Sequence, residues 1–361
     1  MLTAALVGLP LSGRSTVFNL LTGLGIETSG YVTGRTDLHR GVVHVPDERL
    51  AYLSELYHPR KVTPAQIEVT EVPGLVRGAS EGAGVGNRFL AEIREVDALI
   101  HVLRAFSDPE LPHPEGTVDP VRDLETVELE LLLADLSILE NRIGRLRQGK
   151  RRPEHEREEA LVRRCIDALS DGQSLRALSL SEEEGNLLSG FGLLTDKPAI
   201  WVLNADETGL HAGAAWAGAL SQRAETSKAP LVVLSAKIEA EISQLPAEER
   251  QAFLVDLGVE QSGIDRLAQA AYRALGLISF LTAGEDEVRA WPIRDGSSAQ
   301  EAAGKIHSDI SRGFIRAEVV AFADLKTYGS MLKAREAGHV RLEGKEYRMQ
   351  DGDVVNFRFH V

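Results

Sequence analysis

Eight residues near the N-terminus, Gly8-Leu9-Pro10-Leu11-Ser12-Gly13-Arg14-Ser15, have the types and the spacing to cradle phosphate. In such a loop, glycines let successive backbone N–H groups wrap one anion. A cation meets the β- and γ-oxygens, and a hydroxyl serves Mg2+. Ser15 supplies the hydroxyl, with Thr16 next to it. The cation is Arg14, where the motif ordinarily has lysine, and its planar fork is bulkier than a compact ammonium. A glycine turn that merely starts a helix is the plainer alternative. The apolar run before the loop and the helical pattern after it favour phosphate, so the spacing predicts binding more firmly than efficient chemistry.

Two further motifs follow along the chain. Glu71-Val72-Pro73-Gly74-Leu75 follows a strand pattern. In phosphate switches an aspartate here reaches the Mg2+ shell through water and the glycine N–H meets the γ-phosphate. Glu71 is one methylene longer, and Leu75 stands where some GTPases carry a glutamine that orients water, which an apolar side chain cannot do. Taken alone, a plain turn explains this stretch equally well. Gly78, Gly82, Gly84 and Gly86 come next and read as a mobile switch loop or an ordinary flexible one. Asn204-Ala205-Asp206-Glu207 comes directly after another strand pattern, and Ser235-Ala236-Lys237 after the next. A guanine site needs a carboxylate at the fourth position of the first of these. Glu207 carries that carboxylate too far into the pocket, whereas Asn204 can serve the N6 donor and ring acceptors of adenine. Ser235 and Ala236 are placed to close the base pocket. The expected ligand set is therefore Gly8 to Thr16, Gly74, Asn204, Glu207, Ser235 and Ala236 for nucleotide, with Ser15 and Glu71 for metal.

These motifs need a parallel sheet to bring their loops together. Short apolar runs at 2–7, 41–45, 66–72, 98–103, 199–203 and 231–234 read as its strands, with a helix at 15–22 after the first. Leu129, Leu132, Leu136, Leu139, Ile143 and Leu146 alternate spacings of three and four, a coiled-coil seam. Gly149 and Pro153 mark a break before a second helix at 154–169, so a helical hairpin interrupts the α/β pattern. At its tip Arg142, Arg145, Arg147, Lys150, Arg151 and Arg152 form a basic cluster that can meet a phosphate backbone, or be only a solvated end. After about residue 277 the pattern becomes a small mixed α/β module, with strands at 287–293 and 354–360, a helix at 299–306 and a turn at 351–353.

The bulk numbers bound the partners. The chain has 361 residues and a net charge of −14, which opposes wholesale coating of nucleic acid. No apolar run approaches the ~20 residues of a membrane span, and the N-terminus lacks a signal-peptide pattern. A lone cysteine, Cys165, excludes an internal disulfide and suits a reducing cytoplasm. Cys165 reads as a small core residue and His101 as a satisfied structural histidine. No Ser/His/Asp set or zinc spacing is legible, and no residue is nominated as catalytic.

The stretches LVGLPLSGRSTVFNLLT (6–22), PGLVRGASEGAGVGNRFL (73–90), NADE (204–207), GKIHSDISRGFIRAEV (304–319) and DGDVVNFRF (351–359) resemble the YchF/Obg-like ATPase family over nearly the whole chain. The resemblance implies a P-loop G domain at 1–118 and 196–277, an inserted antiparallel helical domain at 119–195, and a C-terminal TGS domain of ubiquitin-like β-grasp fold at 278–361. It implies binding of ATP, or GTP, with Mg2+, slow hydrolysis without a catalytic glutamine, and association with the ribosome or RNA through the basic tip and the TGS domain. Against the family pattern, Arg14 replaces lysine, Glu71 replaces aspartate, and Arg35 falls where a switch threonine would contact Mg2+, with Thr33 and Thr36 nearby. Three departures at one centre predict altered or lost hydrolysis. The alternative is a pseudo-NTPase scaffold in which Arg14, held by Glu71, fills the phosphate site itself.

Overall fold

A computed structural model describes residues 1–27, 38–75, 78, 85–148, 153–211, 215–259 and 261–360. Arg35, Thr33, Thr36, Gly82, Gly84, Gly149, Lys150, Arg151 and Arg152 lie outside them. The strands are β1 (Thr3–Val7), β2 (His39–His44), β3 (Lys61–Thr63), β4 (Gln66–Glu71), β5 (Ala98–Ala105), β6 (Ala199–Ala205), β7 (Leu231–Leu234), β8 (Leu277–Ala283), β9 (Glu287–Arg294), β10 (Phe314–Ala321), β11 (Arg341–Glu343) and β12 (Asp353–Phe359). They form two sheets, and the chain divides into two compact units: Met1–Val42 with Glu68–Ala271, and Val43–Ile67 with Tyr272–Val361.

The first sheet has the order β2-β4-β1-β5-β6-β7. β1 runs parallel to both β4 and β5, β5 to β6, and β6 to β7. Every residue of β5 and β6 is buried, as strands covered on both faces require. The chain leaves β1 in one direction along the sheet and β5 in the other. Loops at the carboxyl ends of these strands therefore meet at a topological switch point, where open α/β sheets bind ligands.

The seam read from the sequence belongs to a helix of 29 residues, Pro120–Gln148. Proline at the start of it and of the returning helix Pro153–Ser170 needs no hydrogen-bond partner for its nitrogen. The seam departs from the expectation at its first position: Leu129 is 52% exposed. The N-terminal half packs on the sheet through Leu124, Val127, Leu131 and Ala134. From Leu132 onward a different stripe, Leu132, Leu139 and Ile143, packs against Leu161, Val162, Cys165 and Leu169 of the returning helix. One helix thus serves two cores, and Leu129 belongs to neither stripe. Cys165 is buried there as expected, with its thiol pushed up to about 11 by burial.

The helix is fastened to the sheet unit by two carboxylates, Asp135 buried and Glu128 partly so. Asp135 accepts from the backbone N–H groups of Leu194 and Thr195 at 3.0 and 2.8 Å and from Thr195 Oγ1 at 2.8 Å, with Arg94 Nη1 at 3.4 Å. Glu128 accepts from Arg176 and from Ser174 Oγ.

In the second unit the sheet order is β11-β10-β12-β8-β9-β3. β8 and β9 form an antiparallel hairpin, β12 lies parallel to β8, and β10 is antiparallel to β12. The helix Ala299–Ile306, started by a capping box between Ser298 and Glu301, covers one face. Its Ala299, Ala302 and Ala303 let it approach Phe280, Ile293, Phe314 and Phe357 closely. β3 pairs parallel with β9. The helix Glu48–Tyr57, capped by Asp47, is held in this unit by Arg49, which bonds both Asp47 and Asp351.

Candidate functional site

The loop 8–13 closes β1 onto the helix Arg14–Thr22 by unusual backbone angles. Gly8 has φ 148°, Leu11 61° and Gly13 93°. A Cβ on Gly8 would lie 2.5 Å from Val102 O, and one on Gly13 would lie 2.2 Å from Asn204 Nδ2, so only glycine fits at either place. Leu11 in the left-handed region is locally strained, a feature found at ligand-binding turns. No side chain caps the helix that follows, so its first N–H groups remain available to an anion. Ser12 Oγ and Arg14 Nε are buried and have no partner among the described residues.

Three of the expected residues meet at the start of this helix. Ser15 Oγ donates to Glu71 Oε1 at 2.5 Å, and His39 Nδ1 lies 3.5 Å from Glu71 Oε2. Arg14 Nη1 donates to the Val72 carbonyl at 2.5 Å. The direct Arg14–Glu71 pair imagined for a self-filled site is therefore not formed: the carboxylate takes the serine hydroxyl and the guanidinium takes a backbone carbonyl. Burial lowers the Arg14 pKa, and the Glu71 charge opposes that shift. Gly74 lies against the same guanidinium, since a Cβ there would be 2.9 Å from Arg14 Nη2. Leu75 is 1% exposed and packs in the sheet core, with its N–H donating to Gly8 O.

Asn204 is buried and works as a brace. Its Nδ2 donates to Ser12 O at 3.0 Å and its Oδ1 accepts from Ala236 N at 2.9 Å. The expected reading gave this amide to adenine, but its geometry commits it first to fastening two loops. Glu207 begins a short helix and is exposed. Its neighbour Asp206 caps that helix, accepting from Thr208 Oγ1 and Gly209 N. Ser235 is buried and caps the helix Ala236–Gln244. The structure thus brings Gly8 to Thr16, Glu71, Gly74, Asn204, Ser235 and Ala236 to one end of the sheet.

Two neighbours on β5 were not among the expected site residues. Arg104 is 2% exposed, stacks 4.5 Å above the Phe106 ring and donates to the carbonyls of Leu11, Phe106 and Leu111. An arginine and a histidine three residues apart inside a mostly apolar strand were the available signal. His101, expected to be satisfied, is not: its Nε2 is buried with no partner among the described residues, and burial pushes its pKa down to about 4.

A hydroxyl and a carboxylate form a hard-oxygen set. Mg2+ bound with a nucleotide needs only one or two protein oxygens besides phosphate and water, so Ser15 and Glu71 fit it. Among the described residues no group of three or more His, Cys, Asp and Glu side chains could hold a metal without such help. No helix among them is long and apolar enough to cross a membrane.

Comparison with known proteins fits this geometry. A family model described as "50S ribosome-binding GTPase" matches residues 3–139. The C-terminal model of YchF GTPases, described as "Protein of unknown function (DUF933)", matches residues 277–360. The chain is 46% identical over 364 residues to the ribosome-binding ATPase YchF of Bacillus subtilis, covering all of both chains. It is 42% identical to that of Haemophilus ducreyi, covering 99% of this chain and 98% of the other. The solved structure of the Schizosaccharomyces pombe YchF GTPase superposes with a TM-score of 0.84 at 32% identity, covering 99% of this chain and 97% of that one.

Proposed function

Because the chain belongs to the YchF family, we propose that it is a cytoplasmic nucleotide switch that binds ATP with Mg2+, hydrolyses it slowly at best, and acts at the ribosome. The observation that carries this reading is the loop 8–13. Its positive-φ backbone, its uncapped helix start and Ser12 Oγ, partnerless among the described residues, suit a polyphosphate. In this reading Gly8 to Thr16 hold the phosphates and Gly74 senses the γ-phosphate. Ser15 and Glu71 hold Mg2+, which supplies positive charge against the β- and γ-oxygens. Asn204 locks the phosphate loop to Ser235 and Ala236, so those two shape the base pocket while Glu207 at its rim disfavours guanine. Leu75, sealed in the core, cannot orient water. Turnover would rest on positioning and electrostatics alone. Residues 1–118 and 196–277 would form the nucleotide domain, with the segment 43–67 lent to the second compact unit, 119–195 the helical domain and 278–361 the TGS domain.

A pseudo-NTPase is the second reading, favoured by one observation. Arg14 and Ser15, the two groups that should face phosphate and metal, are bonded to Val72 O and Glu71 instead. Calorimetric titration of nucleotide-free protein with ATP and GTP, with and without Mg2+, separates the readings. Mg2+-dependent binding that prefers ATP supports the switch. Heat from neither nucleotide supports the scaffold, with hydrolysis assays judged against a Ser15→Ala control.

A further inference from the structure

Beside the start of the helix Arg14–Thr22 stands an imidazole to which the nucleotide reading gives no part. His39 opens β2, the strand next to β4 in the first sheet, and Glu71 closes β4. The Glu71 carboxylate lies between two side chains: Ser15 Oγ donates to Oε1 at 2.5 Å, and His39 Nδ1 stands 3.5 Å from Oε2. The Arg14 guanidinium is turned to the Val72 carbonyl instead. The side chain of Glu71 is 9% exposed and that of His39 41%, so the carboxylate sits inside and the imidazole at the mouth, within reach of solvent. The imidazole also has a backing. Its ring lies 6.3 Å from that of Phe18, tilted by 50°, and Phe18 is fully buried on the helix that carries Ser15.

A hydroxyl, a carboxylate and an imidazole grouped in this way make a mixed set of two oxygens and one nitrogen. Neighbouring ligands held about 2.1 Å from an octahedral ion lie roughly 3 Å from one another. The two spacings at Glu71, 2.5 and 3.5 Å, fall on either side of that value. A histidine that only steadies the carboxylate by a hydrogen bond is the plainer reading. Elsewhere in the chain such bonds are shorter: His113 meets Asp123 at 2.8 Å, and His339 meets Tyr328 at 2.9 Å. At 3.5 Å the His39–Glu71 pair is not closed on itself, and neutral imidazole keeps a ring nitrogen to give. Mg2+ takes oxygen ligands and holds on to its waters, so an imidazole adds little to its binding. Divalent transition ions accept imidazole nitrogen beside oxygen.

We propose that His39 is a third protein ligand at this centre and sets its metal preference, so that with nucleotide bound the site takes a divalent transition ion, Mn2+ among them, ahead of Mg2+. The inference rests on the nucleotide reading and deepens it by naming the class of ion. Ser15 Oγ and Glu71 supply oxygens, His39 Nδ1 supplies nitrogen, and phosphate and water fill the other positions. Mg2+ still binds, through the two protein oxygens alone. Among the described residues no group of three His, Cys, Asp and Glu side chains gathers here, so tight binding needs the phosphate oxygens. The ion therefore arrives with nucleotide rather than before it.

The test is pulsed electron paramagnetic resonance of Mn2+ bound to the full-length protein with ADP. Protein labelled throughout with the heavy nitrogen isotope, mixed with unlabelled nucleotide, separates an imidazole nitrogen from those of adenine. The wild-type spectrum should show one directly coordinated protein nitrogen, and His39→Gln should lose it. Titration calorimetry in the presence of ADP should show the same substitution weakening Mn2+ roughly tenfold or more and Mg2+ by no more than about twofold. A wild-type spectrum without a coordinated protein nitrogen overturns the proposal, whether or not the variant folds. So does a nitrogen signal that survives in His39→Gln, or an equal loss of Mn2+ and Mg2+ affinity. If ADP and Mg2+ still bind in those cases, the nucleotide reading stands and His39 only steadies Glu71. If calorimetry shows that neither ADP nor ATP binds, the nucleotide reading falls and takes this inference with it.

Discussion

Arg14 donates to Val72 O through a fork that lysine lacks, and phosphate must compete with that carbonyl for it. Arg14→Lys should therefore bind Mg2+·ATP roughly tenfold tighter, a gain of about 1.4 kcal/mol, measured by titration calorimetry. Equal affinity of the two proteins would show that the Val72 bond exacts nothing. His101 supports a second prediction at this scale. Its folded pKa of about 4 lies below the ordinary histidine value of roughly 6.5. The unfolded chain then binds the extra proton between those values. Stability is full above about pH 6.5, falls as pH drops toward 4, and levels off below that, a loss of about 3 kcal/mol from this group. His101→Gln should flatten that part of the curve in urea unfolding series at pH 4, 5, 6 and 7. A slope that persists in the variant would place the titrating group elsewhere.

The helix Pro120–Gln148 is where an element-level reading gains most. Its apolar positions belong to two stripes, one against the sheet and one against the returning helix. Leu139 is fully buried, so Leu139→Ala should cost about 2–5 kcal/mol of unfolding free energy. Leu129→Ala, which truncates a half-exposed side chain of the same type, should change it by no more than roughly 0.5 kcal/mol. Equal losses at the two positions in denaturant titrations would mean that the seam continues through Leu129 after all. Helical spacing alone could not make this distinction. A run with spacings of three and four is compatible with either stripe, and the choice depends on which neighbour each turn meets.

At the scale of the whole molecule, the nucleotide loop and the strands β10 and β12 lie in different compact units. A ligand held by the loop should therefore stabilise the first unit. At free Mg2+·ATP 100 times above its Kd the gain is about 2.7 kcal/mol. Hydrogen exchange should show it as added protection of β1, β5 and β6 amides, with none in β10 and β12. Protection confined to β10 and β12 would put the nucleotide somewhere other than the loop after β1. What the sequence determined by itself was local: the glycines of the phosphate loop, the strand-like runs of the first sheet, the returning helix from Pro153 and the mixed C-terminal module. Those features are written in neighbouring residues, through backbone freedom, period and turn chemistry. The rest depends on residues far apart in the chain. β3 is three residues long with no distinctive pattern, and only pairing with β9 places it in the second sheet. Asn204 looks like a base reader until Ser12 O and Ala236 N claim its amide. Arg316 and Arg358 are 42 positions apart in the chain, and only the register of β10 on β12 sets them side by side, because strand pairing is decided by the packing of the whole sheet.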